Sequence, residues 1–258
     1  MNEALLFFAA LFLLGGIVGS FSCLVAHRLH TGRPLVAGGS RCDSCGVRLR
    51  ALQLIPFFSF LFLKGRCAAC GSAIHPKHAL AELLYGAAFV LSWYVLGFSF
   101  AFFFTIAFFS LAGTIVLYDI AHTIIPNVLV YPLMALGGVW ALLSTGETAA
   151  LLHTILSAIG VSGFILALWF FSKGRAMGFG DVKLVFALAL FVGFPASVAG
   201  LLFSFWGGAV ISILLLLYPR KHRTIQSEVP FAPYLALGFL CAHLLSTEEL
   251  LALITLGV

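Results

Sequence analysis

The stretch FAFFFTIAFFSLAGTIVLYD, residues 100–119, carries no charge until its last position, which is an aspartate. An uncharged apolar run of this length is what an α-helix needs to cross the hydrocarbon core of a bilayer. The rest of the chain has the same character, since 62% of its 258 residues are hydrophobic and only 9% are charged. A soluble domain has about 25% charged residues and could not bury so much apolar side chain. The sequence therefore predicts an all-α polytopic membrane protein.

Similar apolar runs recur along the chain and predict about eight transmembrane helices. They lie near residues 4–26, 79–97, 100–118, 128–144, 150–171, 182–195, 198–218 and 231–246. The sixth is short and is interrupted around Gly193-Phe194-Pro195. The tail, 246–258, either spans or lies at the interface. The acidic start, Met1-Asn2-Glu3, lacks the basic segment of a secretory signal peptide, so the first run is expected to be retained as a helix.

The basic residues predict how these helices are oriented, because cytoplasmic loops of membrane proteins are rich in lysine and arginine. With the N-terminus outside, the segments 27–78, 172–183 and 219–230 face inward and hold all 14 lysines and arginines. Segment 119–127 also faces inward and holds none. The net charge of +5 is explained by this topology and by attraction to an anionic inner leaflet, so no nucleic-acid partner is expected.

The loop over 27–78 carries two Cys-x-x-Cys pairs, Cys42 with Cys45 and Cys67 with Cys70. Two such pairs can bring four thiolates into tetrahedral reach, as in a zinc ribbon. A glycine directly follows each pair, where the chain must turn tightly around a metal. Disulfides are disfavoured because the loop is predicted to face a reducing compartment. The sequence predicts a structural zinc site, with a redox-active or free thiol set as the alternative.

Two further features of this loop bear on the zinc site. Residues 54–63 are apolar but too short to span, and we expect a hairpin helix that dips into the membrane interface. Such a helix would hold the loop against the membrane. His75 and His78 are close enough in sequence to replace a cysteine ligand, although ordinary loop positions are the commoner role for such residues.

Two aspartates lie at the ends of predicted membrane helices, where acids are costly and are therefore candidates for function. Asp119 ends the third helix, and Asp181 opens the sixth within GFGDVK, residues 178–183. Both ends are predicted to be cytoplasmic, so both carboxyls reach the same depth and could meet. Two carboxyls that meet share a proton, which supplies a base to activate water and an acid to protonate a leaving amine.

The residues around these acids suit an active site. Gly178 and Gly180 leave room for a substrate backbone to approach. Pro126 ends the helix just beyond Asp119 and frees backbone groups there. Lys183 is either an interfacial anchor or a charge partner for an acid.

Residue chemistry alone leaves several functions open. A single aspartate at a helix end is more often a cap than a catalyst, and Asp181 is well placed for capping. An acid pair in a membrane fits a protease and a proton-coupled transporter equally. A third alternative is a non-catalytic assembly factor that docks through its zinc loop.

Six motifs in order resemble the type IV prepilin leader peptidases, which are GxGD-type intramembrane aspartic proteases, over nearly the whole chain. They are Gly19-Ser20-Phe21 with Arg28, the cysteine pairs enclosing Ile55-Pro56 and Gly65-Arg66-Cys67, Glu82 at the start of the second helix, Asp119 with Ile125-Pro126-Asn127, Gly178 to Lys183, and Val229 to Tyr234. The departures from the family pattern, among them Cys23 and Ala232, leave both aspartates in place.

The resemblance implies an enzyme that cuts the basic leader from type IV prepilins and pseudopilins at the cytoplasmic face of the bacterial inner membrane. Asp119 and Asp181 would be its catalytic pair, and Glu82 would help to shape the site. Many family members then methylate the new N-terminus with S-adenosylmethionine. The expected domains are a first transmembrane helix over 1–26, a zinc-binding loop over 27–78 and a helical membrane domain over 79–258.

Overall fold

The computed structural model describes residues 2–31, 40–42, 44–175, 177–217 and 230–245. Over these residues every regular element is helical, apart from two isolated bridges in the Cys-rich loop, which confirms the predicted all-α fold. The helices are α1 (Asn2–Thr31), α2 (Phe58–Phe62), α3 (Lys77–Leu96), α4 (Phe100–His122), α5 (Asn127–Ser144), α6 (Thr148–Ser172), α7 (Phe179–Val192), α8 (Ala196–Leu217) and α9 (Ala232–Leu244).

Six of these helices, α1, α3, α4, α5, α6 and α8, are long and apolar enough to cross a membrane. Their surfaces carry many large apolar side chains in exposed positions, among them Phe103 and Leu142. Lipid tolerates such a surface, whereas water does not. The chain is therefore an integral membrane protein, as the sequence predicted.

The two remaining predicted spans are shorter helices, α7 with 14 residues and α9 with 13. α7 ends at Val192 because Gly193 adopts a φ of +75° and Pro195 lacks the N–H that another turn would need. The predicted interruption at this point is therefore confirmed. The predicted hairpin helix is a 3₁₀ turn over Ala51–Leu54 followed by the five-residue α2.

Some sequence predictions fall on residues outside the described ranges. These are the C-terminal tail over 246–258 and four of the basic residues used to predict the topology, Arg33, Arg220, Lys221 and Arg223. At the other end of the chain, α1 continues to Thr31, beyond its predicted end at residue 26.

The first of two compact units, Met1–Ser110, contains a tightly packed pair formed by α1 and α3. Glycines allow the close approach: a Cβ on Gly15 would lie 2.6 Å from the Tyr85 carbonyl oxygen, and one on Gly86 would lie 2.8 Å from the Phe12 ring. Small residues at helix contacts are the usual means of close packing in membranes. The Cys-rich loop is the connection between these two helices.

The second unit, Leu111–Val258, is built around α7, which contacts α5, α6, α8 and α9. Beyond Lys183 α7 is apolar on all sides, and Leu184, Leu188 and Phe191 are among its buried residues. A helix that is apolar all round has to be covered by neighbours. Their packing fixes the position of its first turn, which contains Asp181.

Candidate active site and metal centre

Asp119 lies in the last turn of α4, and only 6% of its surface is exposed. The helix ends at His122 because Thr123 turns the chain at a φ of +53°. The prediction that Pro126 ends this helix is therefore wrong: Pro126 is the N-cap residue of α5. The Asp119 carboxyl accepts a hydrogen bond from the backbone N–H of Ala232, the first residue of α9. The N-terminus of α9 therefore provides a donor to a buried acid, where the helix dipole favours negative charge.

Asp181 is the third residue of α7 and is also buried, with 8% of its surface exposed. Its Oδ2 accepts a hydrogen bond of 3.0 Å from the backbone N–H of Gly178, the N-cap residue. Asp181 thus has the capping role that the sequence suggested as an alternative. It has a second relation as well, because Asp119 is close enough to act electrostatically on its carboxyl. The structure brings the two acids together.

A contact at Gly180 packs two segments together: the connection that follows Asp119 and the first turn of α7, which contains Asp181. A Cβ on Gly180 would lie 2.8 Å from the Cβ of Ile125, in the short connection between α4 and α5. Real Cβ contacts of this length are essentially absent, so only glycine allows the connection to pack on the first turn of α7. The face of Gly180 expected to admit a substrate backbone is instead filled by Ile125. Gly178 has no such neighbour, since its Cβ would be 3.5 Å from Asp181 Oδ2.

A second contact joins the same segments through Lys183. Its Nζ donates a hydrogen bond of 2.9 Å to the Oδ1 of Asn127, the first residue of α5. The ammonium also lies 5.2 Å from the centre of the Phe179 ring and 5.6 Å from that of Tyr131, within the range of cation–π attraction. The sequence suggested two roles for Lys183, an interfacial anchor and a charge partner for an acid, and neither describes this arrangement fully. Its ammonium binds the side-chain amide of Asn127, the residue after Pro126.

The arrangement has a definite chemical capacity. Two buried carboxyls that feel each other's charge cannot both ionise easily and therefore share a proton. Such a pair contains a general base and a general acid at one place. Sequence reasoning identified these acids but missed Ile125 packing on Gly180, the Asn127 amide that binds Lys183 and the Ala232 N–H. Their only signal was membership of the quoted motifs, because contacts between distant segments leave no spacing pattern.

Glu82 lies in the first unit, on α3, and holds the loop backbone in place. Its Oε2 accepts a hydrogen bond of 2.7 Å from the N–H of Phe57, which adopts a φ of +60°. The preceding Pro56 packs on α1, where a Cβ on Gly16 would lie 2.7 Å from the Pro56 Cβ. Glu82 therefore fixes the turn that leads into α2. Its predicted part in shaping the active site stays a prediction.

The two Cys-x-x-Cys pairs fold into two equivalent turns. In each turn the glycine after the second cysteine donates its N–H to the carbonyl of the first, at 2.8 Å for Gly46 and 2.9 Å for Gly71. Both glycines are left-handed, with φ of +72° and +70°. An isolated antiparallel bridge closes each turn, Arg41 with Arg48 and Arg66 with Ala73. The predicted tight turn after each cysteine pair is thus confirmed at both pairs.

The four cysteine sulfurs fit a zinc ion. All four Sγ atoms lie within 4.8 Å of one another, and those of Cys42 and Cys70 are 3.9 Å apart. Tetrahedral zinc with Zn–S bonds of about 2.3 Å needs sulfurs about 3.8 Å apart, so a small contraction would complete the site. Within the described residues the cluster contains no histidine. His75 instead accepts the N–H of Lys77 at the start of α3.

The polar groups around the sulfurs favour thiolates at two positions. The backbone N–H groups of Cys45 and Ser44 lower the pKa of the Cys42 thiol to about 6. The hydroxyl and backbone of Ser72 lower the pKa of Cys70. At Cys45 the N–H of Val47 also lowers the pKa, but desolvation and the neighbouring sulfurs outweigh it and raise the pKa to about 11. A divalent cation offsets this mutual repulsion, because metal binding deprotonates its cysteine ligands.

Two family models match the chain. One, described as the bacterial peptidase A24 N-terminal domain, matches residues 13–96, and the other, described as the type IV leader peptidase family, matches residues 106–213. The first match contains the cysteine pairs and the second contains both aspartates.

Several curated proteins are similar to the chain, and those described here are all named prepilin leader peptidase/N-methyltransferase. The protein of Bacillus subtilis (strain 168) is 30% identical, with 91% of this chain and 92% of that protein aligned. That of Myxococcus xanthus (strain DK1622) is 32% identical, over 90% of this chain and 71% of that protein. A shorter match to the protein of Dichelobacter nodosus is 49% identical over 57 residues, which is 22% of this chain and 20% of that protein. No solved structure matches the chain.

Proposed function

Because the chain belongs to the type IV leader peptidase family, we propose that it is an intramembrane aspartic endopeptidase with Asp119 and Asp181 as its catalytic pair. Its substrates are type IV prepilins and pseudopilins, from which it removes the short basic leader. Family membership favours this activity over the proton-coupled transporter and the assembly factor that residue chemistry alone left open.

The observation that carries the proposal is the meeting of the two acids. Asp119 from the end of α4 and Asp181 from the start of α7 are both buried, and each is held by a backbone N–H. They act on each other electrostatically. A structural cap needs only one carboxyl, whereas peptide hydrolysis by aspartates needs two.

The pair carries one proton in the reactive state. The ionised carboxyl takes a proton from a water molecule, whose oxygen then bonds to the carbon of the scissile amide. The protonated carboxyl donates a hydrogen bond to the amide oxygen as negative charge develops there. When the C–N bond breaks, the departing nitrogen takes a proton from the pair, and the products are the leader's carboxyl and the new N-terminal amine. The pair again holds one proton, ready for the next turnover.

The contacts around the pair keep it in position for this chemistry. The N–H groups of Gly178 and Ala232 orient the two carboxyls. The packing of Gly180 on Ile125 and the hydrogen bond from Lys183 to Asn127 hold the two segments in register. We treat these residues as positioning residues, because they act through the aspartates.

The Cys-rich loop would hold a structural zinc ion through Cys42, Cys45, Cys67 and Cys70. Zinc here supplies a rigid cross-link between the two turns, and four thiolate ligands leave no position for a catalytic water. The proteolytic step needs only water and the two carboxyls. The names of the relatives also include N-methyltransferase, and we extend this second activity to the chain with S-adenosylmethionine as methyl donor.

The proposed location is the bacterial inner membrane, with the N-terminus outside and the Cys-rich loop and the aspartates at the cytoplasmic side. All lysines and arginines of the chain fall in segments that this orientation places inside. The same positive charge would attract an anionic inner leaflet. No nucleic-acid partner is proposed.

Co-expression with candidate prepilins tests the proposal. Asp119→Asn and Asp181→Asn should each lower the rate of leader removal by about 10³-fold or more, because each removes one member of the acid–base pair. Glu248→Gln, which changes an acid in the C-terminal tail, serves as the control. Mass spectrometry of the pilin reads leader removal and, from the mass of the new N-terminus, methylation. Normal cleavage by either asparagine variant would remove that aspartate from the mechanism.

A further inference from the structure

The connection between α4 and α5, residues 123–126, is a short segment that begins one helical turn after the first aspartate. Its first residue, Thr123, donates its N–H to the carbonyl of Asp119 at 2.7 Å. Its last residue, Pro126, is extended, with a φ of −75° and a ψ of 126°. A proline also disfavours the helical conformation for the residue before it. The chain therefore leaves α4 in an extended form.

The side chains of this segment alternate between a packed and an open face. Ile125 packs on the first turn of α7, where a Cβ on Gly180 would lie 2.8 Å from its own Cβ, and Gly180 directly precedes Asp181. Ile124 beside it is 62% exposed. Such alternation is typical of a β-strand that lies on a surface. The segment thus runs from one aspartate toward the other with the geometry of a short strand.

The backbone of this segment has unused hydrogen-bonding groups. In the part of the chain that the structure describes, neither Ile124 nor Ile125 takes part in a backbone hydrogen bond through its N–H or its carbonyl. The neighbouring helices do not include them, because α4 ends at His122 and α5 begins at Asn127. An edge with unpaired N–H and C=O groups is a template for pairing with another extended chain.

The segment is held in this conformation without a substrate. The contact with Gly180 fixes Ile125, and the hydrogen bond of 2.9 Å from Lys183 fixes Asn127 at the start of α5. An edge that is already extended and anchored loses little conformational freedom when a second chain binds to it. Its free groups are therefore prepared for a partner.

The proposed cleavage creates a need for such an edge. The carbonyl of a peptide bond within a helix accepts a backbone hydrogen bond, so a substrate has to be extended where it is cut. Unwinding frees N–H and C=O groups, and these are costly to leave unpaired beside the hydrocarbon of a membrane. Ile124 and Ile125 offer matching donors and acceptors next to the two aspartates.

We propose that Ile124–Ile125 binds the scissile segment of the substrate as an added β-strand, main chain to main chain. The inference rests on the proposed peptidase activity and specifies the form in which that site takes its substrate. Strand addition obtains its affinity from backbone hydrogen bonds, which every peptide sequence can make. The contact therefore selects an extended segment and tolerates different prepilin sequences.

Synthetic peptides that carry the leader and the first residues of a candidate prepilin test the proposal with the full chain in detergent. In each peptide one amide N–H, other than that of the scissile bond, is replaced by an ester oxygen. Neighbouring N–H groups of a strand point to opposite edges, so every second ester should raise KM about fivefold. The esters between them should leave KM unchanged, and kcat should change less than about twofold, because the lost contact serves binding.

Two results separate this proposal from the proposed function. If the parent peptide is cleaved but no ester raises KM, or the losses do not alternate, the added strand is overturned and the peptidase activity stands. If the parent peptide is not cleaved, or Asp119→Asn cleaves it at the normal rate, the proposed function fails and this inference fails with it.

The same change in the enzyme identifies the edge. Ile124 and Ile125 are replaced, one at a time, by the hydroxy acid with the same side chain, which removes a single N–H. One of the two should raise KM for the parent peptide about fivefold, and a sensitive ester peptide should then show no further loss. The same replacement at Val128, in the first turn of α5, where helical N–H groups have no partner, is the control and should be neutral.

Circular dichroism checks that each enzyme variant is folded, and re-insertion of isoleucine by the same route gives the reference rate. An unchanged KM in both hydroxy-acid variants would overturn the proposal. Full additivity of the enzyme and peptide changes would also overturn it, because the two groups would then not bind each other.

Discussion

The Cys-rich loop and the aspartate site are both built from two short motifs that are far apart in the chain, but they reach their geometry in different ways. Each Cys-x-x-Cys pair is a complete turn, closed by its own glycine N–H and its own bridge. Neither aspartate is placed by its own motif alone. Asp119 needs the N–H of Ala232, and the two segments need the contact of Gly180 with Ile125.

This difference indicates which kind of substitution should disturb each site. The loop depends on local backbone conformation and on a metal that joins two ready-made turns. The aspartate site depends on side-chain packing between elements that are distant in sequence. Damage to one contact should therefore stay local in the loop but should displace one of the two aspartates in the other site.

The largest effect that we expect from a positioning residue comes from Gly180→Ala. The new Cβ would lie 2.8 Å from the Cβ of Ile125, so the α4–α5 connection must move away from the first turn of α7. A displacement of about 1 Å can cost about 10²-fold in rate, and we expect a loss of that order. Prepilin cleavage in proteoliposomes measures it.

The paired change decides whether packing is the cause. Ile125→Gly in the Gly180→Ala background should restore much of the lost rate, because it removes the Cβ that the added methyl group would meet at 2.8 Å. Gly207→Ala, where no atom lies within 4 Å of the new Cβ, is the control and should be neutral. If Ile125→Gly gave no recovery, the contact would not be what positions Asp181.

Removal of the metal is expected to have a smaller effect on catalysis and a large one on the loop. Cys42→Ser with Cys67→Ser takes one ligand from each turn, so the zinc content should fall from about one per chain to none. Limited proteolysis should then cut within the loop. Leader cleavage should fall by less than about tenfold, since the aspartates do not depend on local loop geometry. Retention of one zinc per chain by the double variant would contradict the proposed ligand set.

The hydrogen bond of Lys183 should have a moderate effect. Lys183→Met removes the donor to Asn127 but keeps an apolar stem, and we expect about a fivefold lower rate, the equivalent of about 1 kcal/mol. Asn127→Ala should have a similar effect. Since the two side chains act as one contact, the double variant should be no worse than either single variant. Additive losses in kcat would show that the two residues act separately.

The smallest effect tests the backbone of the loop. Gly46 has a φ of +72° and no atom near the position of a Cβ, so Gly46→Ala changes only backbone strain. The cost of about 1 kcal/mol should weaken zinc binding about fivefold, as measured by competition with a chelator. Gly71→Ala should have the same effect, because its φ of +70° and its open surroundings match. Asparagine tolerates this conformation better, so Gly46→Asn should cost less.

The sequence predicted the loop site well because its geometry follows from short-range chemistry. The spacing of Cys42, Cys45, Cys67 and Cys70 and a glycine after each pair are sufficient to define two turns, and the structure brings all four sulfurs together. The apolar runs also located the helices that carry Asp119 and Asp181, although their ends differ from the predicted ones by about three to four residues. These predictions rest on patterns that span only a few residues or one helix.

The contacts that join the two aspartate segments could not be predicted in the same way. Nothing in the sequence shows that Ile125 fills the space beside Gly180, and Lys183 was expected to anchor the helix or to pair with an acid rather than to bind Asn127. The burial of α7 was equally hidden, because a short helix covered by protein and one facing lipid have the same apolar composition. Such contacts are set by tertiary packing, and no short-range pattern records it.

The shortness of α7 has a consequence for how the enzyme meets its membrane. With 14 residues the helix is about 21 Å long, whereas the hydrocarbon core is about 30 Å thick. Because α5, α6, α8 and α9 surround α7, protein and not lipid covers the short helix, and its length imposes no hydrophobic mismatch on the bilayer. A short helix inside a bundle can carry a polar first turn such as that of Asp181 where a lipid-facing helix of the same length could not.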